Sequence, residues 1–244
     1  LPIYLRTAFL LAYPREEIVT KLIKPINSNA VVVNTSFKMP GETGYNDIIK
    51  GSGVSKFTAG TQETRTAAAL ALVKKHFPDA AAGSKSVPVK MLWGALSNTR
   101  RANEFALAVR AVKKAGFALT NPSYDGGWSG HLDDSTYDVM FFAWCPSSNA
   151  VTGTNANFQS DGSNNHLGYD SAAMDVVLKK LESKQTAAGI TALYLAADKI
   201  LVQDALTLPI FQHPAVTAYT STLKNVKPSP LVPNLVWNYW AWHF

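Results

Sequence analysis

Five histidines, one cysteine and an adjacent pair of aspartates are the residues best suited to bond chemistry. His76, His131, His166, His213 and His243 are far apart along the chain. None has a His, Cys or Glu three or four residues away in the arrangement of a metal site, so each reads as a surface or hydrogen-bonded histidine and no metal is expected. Asp133–Asp134 has the form of a paired carboxylate, but its place in a polar turn before a strand suits capping. Cys145 has no Cys-x-x-Cys partner and reads as a packed, inert thiol at a strand end. There is no nucleophile elbow, phosphate loop or H-E-x-x-H zinc signature, so the sequence points away from an enzyme and toward no cofactor. The rival reading is a hydrolase using Cys145 with His131 or His166, which would need the thiol within about 4 Å of an imidazole.

What stands out is a strand that runs into a polar, aromatic-flanked loop, Val139-Met-Phe-Phe-Ala-Trp-Cys-Pro-Ser-Ser-Asn. In open α/β sheets ligands collect at the carboxyl ends of strands. Trp144 there offers an apolar wall, and Ser147, Ser148 and Asn149 offer donors and acceptors. The alternative is that Trp144 fills core and the loop is a solvent turn. Spacing leaves both open.

The elements that must position these residues read as α/β. Arg6–Ala12 and Pro14–Lys24 form a broken helix pair, with Pro14 in a first turn and Pro25 as terminator. Residues 25–60 are loop-rich around a β-like Val31–Val33. An alanine-rich helix covers Gln62–Phe77 and stops at Pro78. A β-α-β unit follows: strand Val87–Trp93, a helix capped by Asn98 and running to Ala115, then Gly116 and strand Phe117–Thr120. Its crossover predicts parallel, right-handed pairing. Strand Val139–Trp144, helices Ser171–Ser183 and Thr186–Asp204, and strands at Thr207–Phe211 and Val216–Thr220 come next. A connector with Pro228, Pro230 and Pro233 leads to an aromatic strand, Val236–Phe244, apolar on both faces and so expected to be buried on both.

With 244 residues, 47% hydrophobic and 16% charged, the chain suits one large domain and is too apolar for disorder. Its longest apolar runs are far shorter than the roughly 20 residues of a membrane helix. Residues 1–122 hold 17 Lys and Arg against 7 Asp and Glu; residues 123–244 hold 6 against 10. The cations are scattered on predicted helix exteriors, so nucleic acid is not expected as a partner. A single cysteine leaves the redox compartment undecided. Leu1–Leu11 reads as the middle of a fold, and the chain is taken to be a piece of a longer protein.

Five stretches, in order, resemble the C-terminal part of the family 5 extracellular solute-binding proteins, the oligopeptide, dipeptide and nickel receptors of ABC importers. They are Leu5–Ile18, Ala108–Phe117, Tyr137–Cys145, Leu193–Ile210 and Trp237–Trp242. The resemblance implies a periplasmic-binding-protein-like, two-lobed receptor of type II with a mixed sheet flanked by helices. Residues 1–215 would be its second lobe and 216–244 a segment crossing back to a first lobe. Implied partners are a peptide or small solute, the ABC permease and the N-terminal lobe. The implied location is extracytoplasmic, as a lipoprotein or periplasmic protein; a signalling-peptide receptor without transport would share the fold.

The resemblance also marks Trp128, Ser147 and His213 as cleft positions; with Trp144, Ser148 and Asn149 from the strand-end loop, and Cys145 within it, they are the candidate ligand-binding residues. Peptide-binding relatives carry an Asp for the ligand's ammonium where this chain has Ser147, and some carry an Arg where it has Phe141. A buried ammonium without its counter-charge costs about 2–5 kcal/mol, roughly 30- to several-thousand-fold in affinity. The resemblance therefore implies a neutral or modified ligand, or a carboxylate supplied by the other lobe.

Overall fold

A computed structural model describes residues 1–81, 85–94, 97–122, 128–144, 150–229 and 234–244. At its centre, β1 (Val87–Leu92) lies between β2 (Phe117–Thr120) and β3 (Val139–Met140), in the order β2-β1-β3. Both pairings are parallel, Val87 opposite Phe117 and Met91 opposite Val139. A mixed sheet was expected. The strands expected at Thr207–Phe211 and Val216–Thr220 form no ladder, and only the isolated bridge Lys224–His243 is antiparallel among the described residues.

The β-α-β unit follows its local chemistry. Asn98 Oδ1 accepts the Arg101 amide at 3.1 Å and starts α7 (Thr99–Lys113). Gly116, at φ +87°, reverses the chain into β2. The same capping opens three more helices: Thr61 for α5 (Gln62–His76), Ser171 for α9 (Ala172–Leu181) and Thr186 for α10 (Ala187–Gln203). Pro78 ends α5 and also begins a short turn of helix, α6 (Pro78–Ala81), since its missing N–H is harmless at a first position.

Two apolar clusters organise the chain. The larger joins α1 (Ile3–Ala12), α5, α7, β1 and β2, with Phe9 set edge-on against Phe117 at 5.7 Å. The second packs Met174, Leu178 and Leu181 of α9 on Tyr194, Ala197 and Leu201 of α10, with Phe37 and Ile48. Both helices show the stripe expected from their sequence. Two buried polar networks tie the loop-rich 25–60 stretch down. Arg15, held to a lowered pKa of about 10 by burial, donates to the Val33 carbonyl (3.1 Å), Asn34 Oδ1 (3.1 Å) and the Pro209 carbonyl (2.9 Å). Asp198 accepts the Thr35 hydroxyl at 2.9 Å, and burial raises its pKa.

Neither cluster includes a residue beyond Phe211. The terminal aromatic run is not a strand: Asn234–Ala241 is a 3₁₀ helix broken at Asn238. Buried Asn238 knits it to the preceding segment, donating to the Asn225 carbonyl at 2.8 Å and accepting the Trp242 indole at 3.1 Å. A strand needs a partner along its edge, and among the described residues this segment finds only the single bridge to Lys224.

Candidate functional site

The carboxyl ends of β1 and β3 carry a row of aromatic rings. β3 continues as extended chain through Phe141–Trp144, and a 3₁₀ turn at Trp128–His131 brings Trp128 alongside. The Trp128 and Phe142 centroids are 5.7 Å apart, and Phe142 meets Trp144 edge-on at 4.7 Å. Trp144, 41% exposed, stacks on His166 at 5.7 Å and 16°.

Trp128 is seated by the end of β1. It lies so close to Gly94 that a Cβ there would fall 1.8 Å from the indole Cε2, and only glycine leaves room. The Arg101 guanidinium sits 5.7 Å from the ring centroid and donates to the Gly94 carbonyl at 3.1 Å. Arg101 stands in the first turn of α7, and burial lowers its pKa. One turn further, fully buried Glu104 accepts Arg100 Nη1 at 2.7 Å, while its Oε2 has no hydrogen-bond partner among the described residues. Desolvation raises the Glu104 pKa against the pull of Arg100, and burial followed by the nearby Glu104 charge raises that of Tyr13.

The turn entering β3 anchors the far side. Asp133 bonds His166 Nδ1 at 2.8 Å, and Asp134 bonds His131 Nδ1 at 2.5 Å while accepting the Thr136 amide and hydroxyl. These bonds, Thr136 first and His131 second, hold the Asp134 carboxyl below its ordinary pKa. Capping is thus part of what this pair does; each carboxylate also holds an imidazole.

Of the positions marked in the sequence, Trp128 and Trp144 come together through Phe142. Cys145, Ser147, Ser148 and Asn149 lie outside the described residues. His213 stands apart from the row, exposed, with its Nδ1 3.1 Å from the Pro214 carbonyl and its ring beside Phe211. Phe141 packs against the larger core and donates its amide to the Leu92 carbonyl. Sequence reading missed Gly94, Arg101, Phe142 and His166. A glycine directly after an apolar strand and an arginine three residues beyond an N-cap were the available signals for the first two; His166 gave none. Among the described residues no cluster of three or more potential ligands is placed to hold a metal, and no helix is long and apolar enough to cross a membrane.

The chain has the fold of one portion of the family 5 solute-binding proteins. No family model and no curated protein matches it. Solved structures do. A periplasmic EDTA-binding protein, EppA, shares 16% identity over 99% of this chain and 45% of its own, at a TM-score of 0.76. OppA of Haemophilus influenzae, in complex with the peptide RPPGFSPFR, shares 18% over 86% and 39%, at 0.70. The Escherichia coli murein tripeptide-binding protein MppA shares 19% over 92% and 42%, at 0.67. The chain therefore spans less than half the length of each.

Proposed function

We propose that this chain is the ligand-binding second lobe, residues 1–215, of an extracytoplasmic receptor that captures a peptide or similar solute and passes it unaltered to an ABC permease. Residues 216–244 are read as the segment crossing back to the first lobe. The observation that carries the proposal is the extent of the fold: 86–99% of this chain is accounted for by 39–45% of proteins described as binding peptides or a chelator. The aromatic row supports it, since it lies where α/β folds place ligands. So does the terminal segment, whose Tyr239, Trp240 and Phe244 are exposed and contribute to neither core.

In this receptor Trp128 and Trp144 form the apolar wall of the cleft. Ser147, Ser148 and Asn149, outside the described residues, are read as the source of polar groups, with Cys145 beside them in sequence. Arg101 adds a cation beside Trp128. With Phe141 turned to the core and Ser147 in place of a carboxylate, both of the family's familiar charge anchors are changed, and the exposed carboxylate beside the row, Asp133, is engaged by His166. The ligand is an oligopeptide with a blocked or neutral amino end, or a comparable solute with an acidic end toward Arg101. His213 belongs to the rim near the hinge rather than to the wall.

One lobe covers only part of a ligand that a closed cleft buries to roughly 70–90%. Calorimetry tests this directly. The intact two-lobed protein should bind N-acetylated tripeptides at least as well as free ones, and the 244-residue chain alone should bind neither at micromolar concentration. Tight binding of free peptides abolished by acetylation would overturn the ligand assignment. Tight binding by the isolated chain would overturn the half-cleft. Rapid native labelling of Cys145 at neutral pH, together with peptide cleavage, would favour the hydrolase.

A further inference from the structure

His166 lies on the polar stretch between α8 (Asn155–Phe158) and α9, yet its side chain is only 15% exposed. It is fixed from several directions. Nδ1 is 2.8 Å from Asp133 Oδ1, and the backbone carbonyl accepts the Tyr137 hydroxyl at 3.3 Å. The ring lies flat on Trp144 and edge-on to Phe142 at 6.3 Å. Trp144 has no such anchorage: among the described residues its ring contacts are Phe142 and His166.

We propose that His166 is the positioning residue of the aromatic wall: Asp133 holds the imidazole in plane, and the imidazole fixes the plane in which Trp144 meets the ligand. This rests on the reading of the wall as the ligand face.

The test is spectroscopic and needs no ligand. The emission of Trp144 is obtained as the difference between the 244-residue chain and its W144F variant, and the same difference is taken in each variant background. Acrylamide should quench the Trp144 signal more steeply in H166A and D133A than in wild type, and H166F, which keeps a ring in the stack, should restore much of the protection. Equal quenching of Trp144 in wild type and H166A would overturn the proposal. If D133A fails to fold, the wild-type, H166A and H166F comparison still decides, since Trp144 is outside both cores. Peptide calorimetry on the intact protein fails separately: a working brace without binding would sink the ligand face and leave the stack standing.

Discussion

The molecule carries two aromatic groups that contrast in how they are built. The row at the strand ends, Trp128, Phe142 and Trp144, is held by a glycine seat, an arginine and an imidazole tethered to a carboxylate. The terminal group, Val236 to Phe244, is tied among the described residues to its own preceding segment, through Asn238, the Trp237 indole and the Lys224–His243 bridge, and it leaves Trp240 69% and Phe244 88% exposed. Side chains fixed by polar neighbours while one face stays open form a surface prepared for something small and variable. Large rings exposed with no such support fit a surface covered by a fixed partner, and the first lobe is the partner proposed here. Composition alone does not separate the two cases; the neighbours do.

The largest effect that would break this contrast is expected beneath the first group, at the start of α7. Replacing Arg100 by Ala leaves Glu104 fully buried without its ion-pair partner, with only the more distant pull of Arg101, and breaking a buried pair costs about 3–5 kcal/mol. The cost should depend on pH with a definite sign. The Glu104 pKa is already raised in the folded state, so its protonated form is favoured there. Its contribution is full below the ordinary carboxylate pKa and is lost as pH rises through the raised value. Removing Arg100 raises that value further. Urea denaturation should therefore find R100A close to wild type at acid pH and increasingly destabilised toward pH 8; a pH-independent loss would mean Glu104 is not the group responsible.

Gly94→Ala comes next. Its Cβ would occupy the indole of Trp128, so the ring or the strand end must move. Overpacking of this kind costs about 1–3 kcal/mol, and peptide affinity of the intact receptor should fall with it. Arg101→Met should do less, about 1 kcal/mol, because it removes one cation–π contact and one hydrogen bond to a carbonyl while keeping an aliphatic stem on Trp128. Equal losses for G94A and R101M would show that the seat of Trp128 matters less than the charge beside it.

How far these regions were legible in the sequence follows the reach of the interactions that form them. Asn98, Gly116, Thr61, Ser171 and Thr186 act on their own few neighbours, and the helices and strands they bound fall within a residue or two of expectation. The stripes of α9 and α10 were readable for the same reason. Glu104 was not, because on α7 it shares a face with Ala108 and Val112, and nothing in the spacing says that a carboxylate will be buried there. Two of the three rings in the row were readable, Trp144 from its strand end and Trp128 from the family resemblance. Arg101 and His166 join it from 27 and 22 residues away along the chain, at distances only the fold reveals. The strands expected at 207–211, 216–220 and 236–244 failed for the opposite reason: their residues suit extended structure, but pairing requires an edge that the described chain does not present to them.

The smallest effect expected is the most discriminating for the terminal group. Tyr239→Ser and Trp240→Ser together remove two large, exposed rings that join neither core. In the 244-residue chain the pair should shift stability by no more than about 0.5 kcal/mol, as substitutions away from buried features do. In the intact receptor the same pair should cost several times more, because each ring then leaves a contact with the other lobe and fully burying such a side chain contributes about 1.5–3 kcal/mol. The comparison is internal, since any effect on the local turn around Asn238 appears in both proteins and cancels. A loss of equal size in both would place these rings against their own chain, and residues 216–244 would then be part of this lobe rather than a strap to another.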